Sequence, residues 1–115
     1  MSPAPFIAAE KLQSQSIGVP GTLLIGGLRC PARIYVEGGQ SFRMEGGSLQ
    51  KRTLNAIVLC SLLPASKIID ADGSTRAVEV THLETGIQYR IDTGGVNRSP
   101  YGVYWQIDCS QPTAL

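Results

Sequence analysis

The stretch 101-YGVYWQIDCSQP-112 decides the fold class of this chain, because every second residue in it is apolar. Two sets alternate: Val103, Trp105, Ile107 and Cys109 on one side, and Gly102, Tyr104, Gln106 and Asp108 on the other. Successive side chains of a strand point to opposite faces, so this period of two is typical of a β-strand with one buried face. The only tryptophan lies in the middle of the apolar set, which predicts that Trp105 packs in the core.

The same period of two recurs in three earlier segments. RIYVE (33–37), TRAVEVTH (75–82) and GIQYRID (86–92) alternate apolar with polar residues, and glycine-containing turns at 72–74 and 84–86 bound them. Short alternating strands between such turns predict an all-β domain, a small antiparallel β-barrel or sandwich. We expect the inward side chains to be Ile34, Val36, Val58, Val78, Val80, Ile87, Tyr89, Ile91, Val103, Trp105 and Ile107.

Two stretches depart from this period. Residues 5–15 are rich in alanine without a β-branched run, and they predict a short N-terminal helix or arm that ends before Gly18 and Pro20. Residues 37–52, EGGQSFRMEGGSLQKR, contain two glycine pairs and predict one long Gly-rich loop. Connections of this length are usually either functional or disordered, and a passive solvated loop remains the alternative. A further loop is expected over 93–102, before the Trp105 strand.

The run LNAIVLCSLLPAS (54–66) is continuously apolar and reaches Pro64, which predicts a strand covered on both faces. At 115 residues the chain has the length of one domain. The expected organisation is an N-terminal arm over 1–20, a single β-barrel domain over 21–112 with its long loop at 37–52, and a C-terminal tail over 113–115.

Composition excludes several classes of protein. The net charge is +1 and charged residues make up 17% of the chain, so no whole-protein electrostatic footprint for nucleic acid or membrane is expected. No apolar run approaches the roughly 18 residues of a membrane span, and the first residues make a poor signal peptide. Three widely spaced cysteines, Cys30, Cys60 and Cys109, favour free thiols in a reducing compartment.

The chain contains little that predicts catalysis or metal binding. His82 is the only histidine and no nucleophile motif accompanies it, so we expect a histidine at a barrel rim. The cysteines lack the paired spacing of a zinc site. The segment Asp70–Ser74 begins like a calcium loop, but Thr75 and Thr81 stand where that motif needs Gly and Glu. The sequence therefore predicts no enzyme, no metal site and no cofactor.

In the order and character of its segments, the chain resembles the head–tail joining proteins of tailed phages, of the stopper or head-completion kind. The resemblance covers about residues 5–112. Five segments carry it: the arm at Pro5–Gly18, ARIYVEGGQSFRMEGGSLQKR (32–52), the apolar strand ending in Leu62-Leu63-Pro64, the hairpin EVTHLETGIQYRID (79–92), and the closing YGVYWQIDCSQP.

This resemblance implies a structural protein of the virion neck that is made in the host cytoplasm. Members of the family form a ring, typically of six subunits, between the portal–adaptor assembly and the tail, and a loop from each subunit can close the DNA channel. The implied partners are other copies of the chain, a portal or adaptor protein, a tail terminator or tail tube protein, and double-stranded DNA contacted without sequence specificity; no membrane is implied.

Two sets of candidate site residues follow from the resemblance. The channel loop would consist of Gly38, Gly39, Phe42, Arg43, Met44, Gly46, Gly47, Lys51 and Arg52. The partner-docking arm would use Phe6, Ile7 and Leu12. Cations on several copies of a loop can meet phosphates without reading sequence.

Two other interpretations stay open. Tail-completion and minor tail proteins are also small viral β-barrels with this outline. An OB-like nucleic-acid or sugar-binding module would need exposed aromatic residues on adjacent strands, and Tyr35 and Tyr104 lie on the polar faces of their segments.

Overall fold

The computed structural model describes residues 4–44 and 47–111, and it describes the side chains of all of these except 39–51. The described part contains an N-terminal helix, six strands and a short 3-10 helix. In chain order these are α1 (Ala4–Ser16), β1 (Val19–Ile25), β2 (Leu28–Met44), β3 (Gly47–Leu59), the 3-10 helix (Ala65–Lys67), β4 (Glu79–His82), β5 (Ile87–Arg98) and β6 (Tyr104–Ser110).

The six strands form a closed barrel in the order β1-β2-β3-β6-β5-β4. Every pair of neighbours is antiparallel, and the barrel closes where β1 pairs with β4, with Leu23 opposite His82 and Ile25 opposite Val80. The prediction of a small antiparallel β-barrel with a short N-terminal helix is thus confirmed. Closure matters because it removes the free edges on which open sheets tend to aggregate.

Most of the alternating residues fill the interior as predicted. Trp105 is 5% exposed, and its indole Nε1 donates a hydrogen bond of 3.0 Å to the carbonyl oxygen of Leu63. Val78 and Ile87 are partly buried and pack against this core. The other expected inward residues that are buried are Ile34, Val58, Val80, Tyr89, Ile91 and Ile107. The inward prediction is wrong for Val103, which precedes β6, is only half-buried and lines a groove beside α1.

Val36 was predicted to face inward, and that prediction is wrong, since the side chain is 46% exposed. The register between β2 and β3 shifts between Ile34 and Val36, where Tyr35 has no partner residue across the ladder. Such a bulge inserts one residue and inverts the alternation that follows it. Val36 consequently lies on the outer surface, and the side chain of Glu37 reaches residues at the end of the barrel interior.

The prediction of a long loop over 37–52 is also wrong. Strand β2 continues to Met44 and β3 begins at Gly47, with antiparallel pairing from Gly38 opposite Thr53 to Met44 opposite Gly47. The glycine pair at 38–39 therefore lies in extended, paired backbone.

The loop expected over 93–102 is shorter than predicted, because β5 continues to Arg98. The register between β5 and β6 shifts between Ile91 and Val96. A Cβ atom on Gly95 would lie 2.5 Å from the carbonyl oxygen of Asp108, so the strands approach too closely there for a side chain. The apolar run 54–66 forms strand only as far as Leu59.

Within that strand, the prediction of two covered faces is confirmed. Leu54, Ala56 and Val58 are fully buried inside the barrel, and Ile57 on the outer face is only 5% exposed. Ile57 lines a groove together with Ser14 and Gln15 of α1. The helix thus covers the outside of the sheet at β3.

Candidate functional site

The feature that sets this barrel apart is a hairpin that continues past it. Strand β3 pairs with β6 as far as Thr53 opposite Ser110, and β2 pairs with β1 as far as Ile34 opposite Val19. Six further pairs, from Gly39 opposite Arg52 to Met44 opposite Gly47, join β2 and β3 to each other. Apart from one hydrogen bond of 2.9 Å, from the Gln111 amide to the carbonyl oxygen of Arg52, no third segment of the described chain pairs with these six. We call residues 39–44 and 47–52 the β2–β3 extension.

The β2–β3 extension is a long hairpin that consists of only two strands in the described chain. Six residues of strand span about 20 Å, and the molecule measures 58 × 31 × 26 Å along its principal axes. A two-stranded hairpin without a further packing partner is marginally stable in water. Its outer edges carry backbone groups to which another chain can pair. The extension is therefore the best candidate in the described chain for contact with another molecule.

Most of the predicted channel residues lie in or beside this extension. Gly38 is the last residue before it, and Gly39, Phe42, Arg43, Met44, Gly47, Lys51 and Arg52 are in its paired strands. Gly46 lies outside the described residues, as does the predicted tail 113–115. The side chains of Phe42, Arg43, Met44 and Lys51 are outside the described set, so their placement stays a prediction.

The root of the extension holds a polar cluster inside the end of the barrel. The Tyr89 hydroxyl donates a hydrogen bond of 2.7 Å to Glu37 Oε2, and His82 Nδ1 lies 2.8 Å from the same oxygen. Tyr89 is 1% exposed and His82 is 7% exposed. Because β2 has β1 and β3 as its neighbours, these contacts to β4 and β5 cross the interior of the barrel.

The hydrogen-bonding roles within the cluster follow from its chemistry. An ionised carboxylate only accepts hydrogen bonds, so the proton between Glu37 and His82 belongs to Nδ1 of the imidazole. The second ring nitrogen, Nε2, lies 3.6 Å from Glu84 Oε2. Glu84 Oε2 also accepts a 3.1 Å hydrogen bond from the Thr22 amide, and this bond is the main cause that lowers the pKa of the Glu84 carboxyl.

Burial and the adjacent carboxylate act in the same direction on Tyr89. Desolvation, followed by the hydrogen bond to Glu37 and the charge of Glu37, raises the pKa of Tyr89 to about 12. The Arg52 guanidinium lowers the pKa of Tyr89 and so opposes this shift. Arg52, which belongs to β3, therefore also approaches the Tyr89 hydroxyl. Space for the cluster comes from Gly21, where a Cβ atom would lie 2.7 Å from Ile34 Cδ1 and 3.4 Å from His82 Nε2.

Sequence reasoning placed His82 at the barrel rim but did not find this cluster. Glu37 stands 45 residues from His82 and 52 from Tyr89 in the chain, with no motif spacing to connect them. The available signal was the position of Glu37, a charged residue that comes directly before a glycine pair at the start of the predicted loop.

The predicted docking arm is helix α1. The Phe6 ring stacks on Tyr101 with ring centroids 5.2 Å apart and planes 10° from parallel. Glu10 is 8% exposed, and its carboxylate accepts hydrogen bonds of 3.0 and 3.2 Å from the Tyr101 amide. Ile7 is half-buried, whereas Leu12 is 68% exposed. Of the three predicted residues, Leu12 is thus the one that faces away from the barrel.

The remaining candidate groups form ordinary turns and free thiols. The Asp72 carboxylate accepts hydrogen bonds from the backbone and hydroxyl of Ser74, and Asp70 pairs with Arg76 at 3.3 Å. Over residues 4–44 and 47–111, no three His, Cys, Asp or Glu side chains are arranged to hold a metal ion. Cys30 and Cys109 are buried free thiols, and Cys60 is a half-buried one.

Comparisons with known proteins leave the site to be interpreted on its own geometry. No protein-family model, no curated protein and no solved structure matches this chain. Of the helices in the described part of the chain, none has the length and apolar character needed to cross a membrane.

Proposed function

We propose that this chain is a structural subunit of the neck of a tailed phage, a stopper-like head–tail connector that assembles into a ring, with six subunits the expected number. The observation that carries the proposal is the β2–β3 extension, a two-stranded hairpin that leaves a barrel whose other strands are all paired on both sides. The proposed location is the interface between head and tail of the virion.

A ring supplies what the extension lacks. Over residues 4–44 and 47–111, the closed barrel offers no free strand for the hairpin edges. Identical subunits around a rotation axis repeat one heterologous contact until the ring closes, and that contact brings each extension next to a neighbouring copy. Backbone pairing or packing between adjacent extensions would then order a segment that is marginal alone.

The sequence of the extension suits the wall or the closure of a DNA channel. Arg43, Lys51 and Arg52 lie within it or at its root, while the chain as a whole carries a net charge of only +1. Positive charge concentrated on one projecting element can meet phosphates on an axis without reading bases. The polarity of the channel would then result from the arrangement of subunits.

The other proposed partners are a portal or adaptor protein on the head side and a tail terminator or tail tube protein on the tail side. Helix α1 supports a docking role because Leu12 presents 68% of its surface to solvent on a helix that is anchored elsewhere by Phe6 and Glu10. We assign no catalytic step and no cofactor to the protein.

Shortening the extension tests the proposal. A variant that joins Gly38 to Thr53 through Asn-Gly should keep the barrel and its melting temperature, since the barrel strands pair independently of the extension. We expect it to lose ring formation at high concentration, measured by native mass spectrometry, and to complement poorly for DNA retention in particles. The matched control is a variant in which Asn-Gly replaces the exposed turn 71–74. This control variant should assemble normally.

Three results would count against the neck function. Particles that contain the shortened subunit and retain DNA and tails normally would make the extension a passive connection. A wild-type protein that stays monomeric, and binds single-stranded DNA or an oligosaccharide, would favour the OB-like module. A ring found at another position in the tail would favour a tail-completion or minor tail protein.

A further inference from the structure

The β2–β3 extension is joined to the barrel at a point with little side-chain packing. Gly38 and Gly39 follow Glu37 directly, and a Cβ atom on Gly38 would meet no other atom within 4 Å. Gly38 pairs with Thr53 across the ladder, but without a packed side chain its backbone can change direction more easily than that of other residues. The orientation of the extension therefore depends on what holds the residues immediately before and opposite this glycine pair.

Glu37 is held from the opposite side of the barrel. Its Oε2 atom receives the Tyr89 hydroxyl at 2.7 Å and faces His82 Nδ1 at 2.8 Å, and the Glu37 side chain is only 23% exposed. The bulge at Tyr35 is what brings this carboxylate inside, because without it the alternation would direct Val36 inward and Glu37 outward. Arg52, opposite Gly39, approaches the same hydroxyl from β3.

We propose that Glu37, His82 and Tyr89 form a clamp that sets the direction of the β2–β3 extension. The functional meaning rests on the proposed role of the extension, but the clamp itself is a property of the isolated subunit. The three residues are positioning residues, since they act on the extension through the backbone of β2.

Backbone ¹⁵N order parameters of the full-length subunit, measured at residues 40–43 and 48–51, test the clamp. In Glu37→Gln and Tyr89→Phe they should fall toward values below about 0.6, the flexible range, while order parameters in β6 stay near about 0.85. Tyr89→Phe removes a single oxygen atom, so it remains informative if Glu37→Gln folds poorly.

His82→Asn tests the contact between the imidazole and Glu37 by a conservative change. The asparagine amide places a donor near the position of Nδ1, so the extension should stay ordered.

Equal order parameters in the wild type, Glu37→Gln and Tyr89→Phe would overturn the clamp. Because these measurements use isolated subunits, their outcome is independent of whether the protein forms a neck ring.

Discussion

A Cβ atom on Gly18 would lie 2.2 Å from the carbonyl oxygen of Ile34. The chain between helix α1 and strand β1 therefore runs in direct contact with the backbone of β2, at a residue whose φ angle is +62°. Arg33 reinforces this contact, because its guanidinium donates hydrogen bonds to the carbonyl oxygens of Ile17 and Gly18 at 2.9 and 3.0 Å. Only glycine combines this conformation with this approach, so the attachment of α1 depends on Gly18.

Gly18→Ala should therefore destabilise the protein by more than about 1–2 kcal/mol, the ordinary cost of a left-handed conformation for a non-glycine residue. The loss of stability beyond this ordinary cost comes from the contact with Ile34, where the opposing atoms belong to the backbone and cannot rotate away. Gly86→Ala is the matched control, since Gly86 has a φ angle of +75° and open space around it. Urea unfolding measures both variants. Equal losses in the two would show that the packing at Gly18 adds nothing.

Trp105 should be the most sensitive core position of β6. Trp105→Ala removes a side chain that is 5% exposed and should cost about 3–5 kcal/mol in the free energy of unfolding. Trp105→Phe keeps an aromatic ring but leaves the Leu63 carbonyl without its donor, which should cost about 1–3 kcal/mol. Thermal and urea denaturation give both values. A Trp105→Ala protein as stable as the wild type would place the indole outside the core.

Tyr89 should make stability fall at high pH. Its pKa is raised from 10.0 to about 12, because the buried phenol beside Glu37 favours the neutral form. The contribution of Tyr89 to the stability of the folded state is thus fully present below pH 10. It is lost as the pH rises through about 12. Urea midpoints between these pH values should decline in the wild type and decline less in Tyr89→Phe. Absorbance at the phenolate band reports the titration directly, and a Tyr89 that ionises near pH 10 would contradict its buried position.

The alternation of the sequence predicted the barrel because period two is a local property that each strand carries alone. It placed Trp105, Ile107 and Val80 correctly for this reason. It failed at Val36, because one inserted residue at a bulge inverts the pattern after it and leaves no mark in the composition. The glycine pairs at 38–39 and 94–95 were attributed to loops, although in both places the chain continues as paired strand.

The polar cluster could not be predicted by the same means. Glu37 meets His82 and Tyr89 only after the barrel has closed and the bulge has turned the carboxylate inward. Both conditions are tertiary, and neither is expressed in the spacing of the three residues. The residues of the extension stood out in the sequence because they depart from the period of two, but they were predicted to form a loop and they form paired strand instead.

The three thiols should react in a fixed order. Cys60 is half-buried and near Arg98, which partly offsets the effect of burial that raises its pKa. Cys109 is 1% exposed, and burial together with the nearby carboxylates of Asp92 and Asp108 raises its pKa strongly. Burial likewise raises the pKa of Cys30. Titration with a thiol reagent near neutral pH should modify Cys60 alone in the folded protein, and all three after unfolding. Early reaction of Cys109 would mean that β6 opens readily.

Phe6 and Leu12 of α1 should affect different properties of the protein, Phe6 its stability and Leu12 its incorporation into particles. Phe6→Ala removes the stacking on Tyr101 and should cost about 0.5–1.5 kcal/mol of stability, because an offset aromatic pair contributes about this much. Leu12→Ala should change stability by less than about 0.5 kcal/mol, since Leu12 is 68% exposed. If α1 docks on a portal or adaptor protein, Leu12→Ala should nevertheless weaken incorporation into particles. Thermal denaturation and quantification of the subunit in purified virions measure the two effects. Normal incorporation of Leu12→Ala would remove Leu12 from the proposed docking surface.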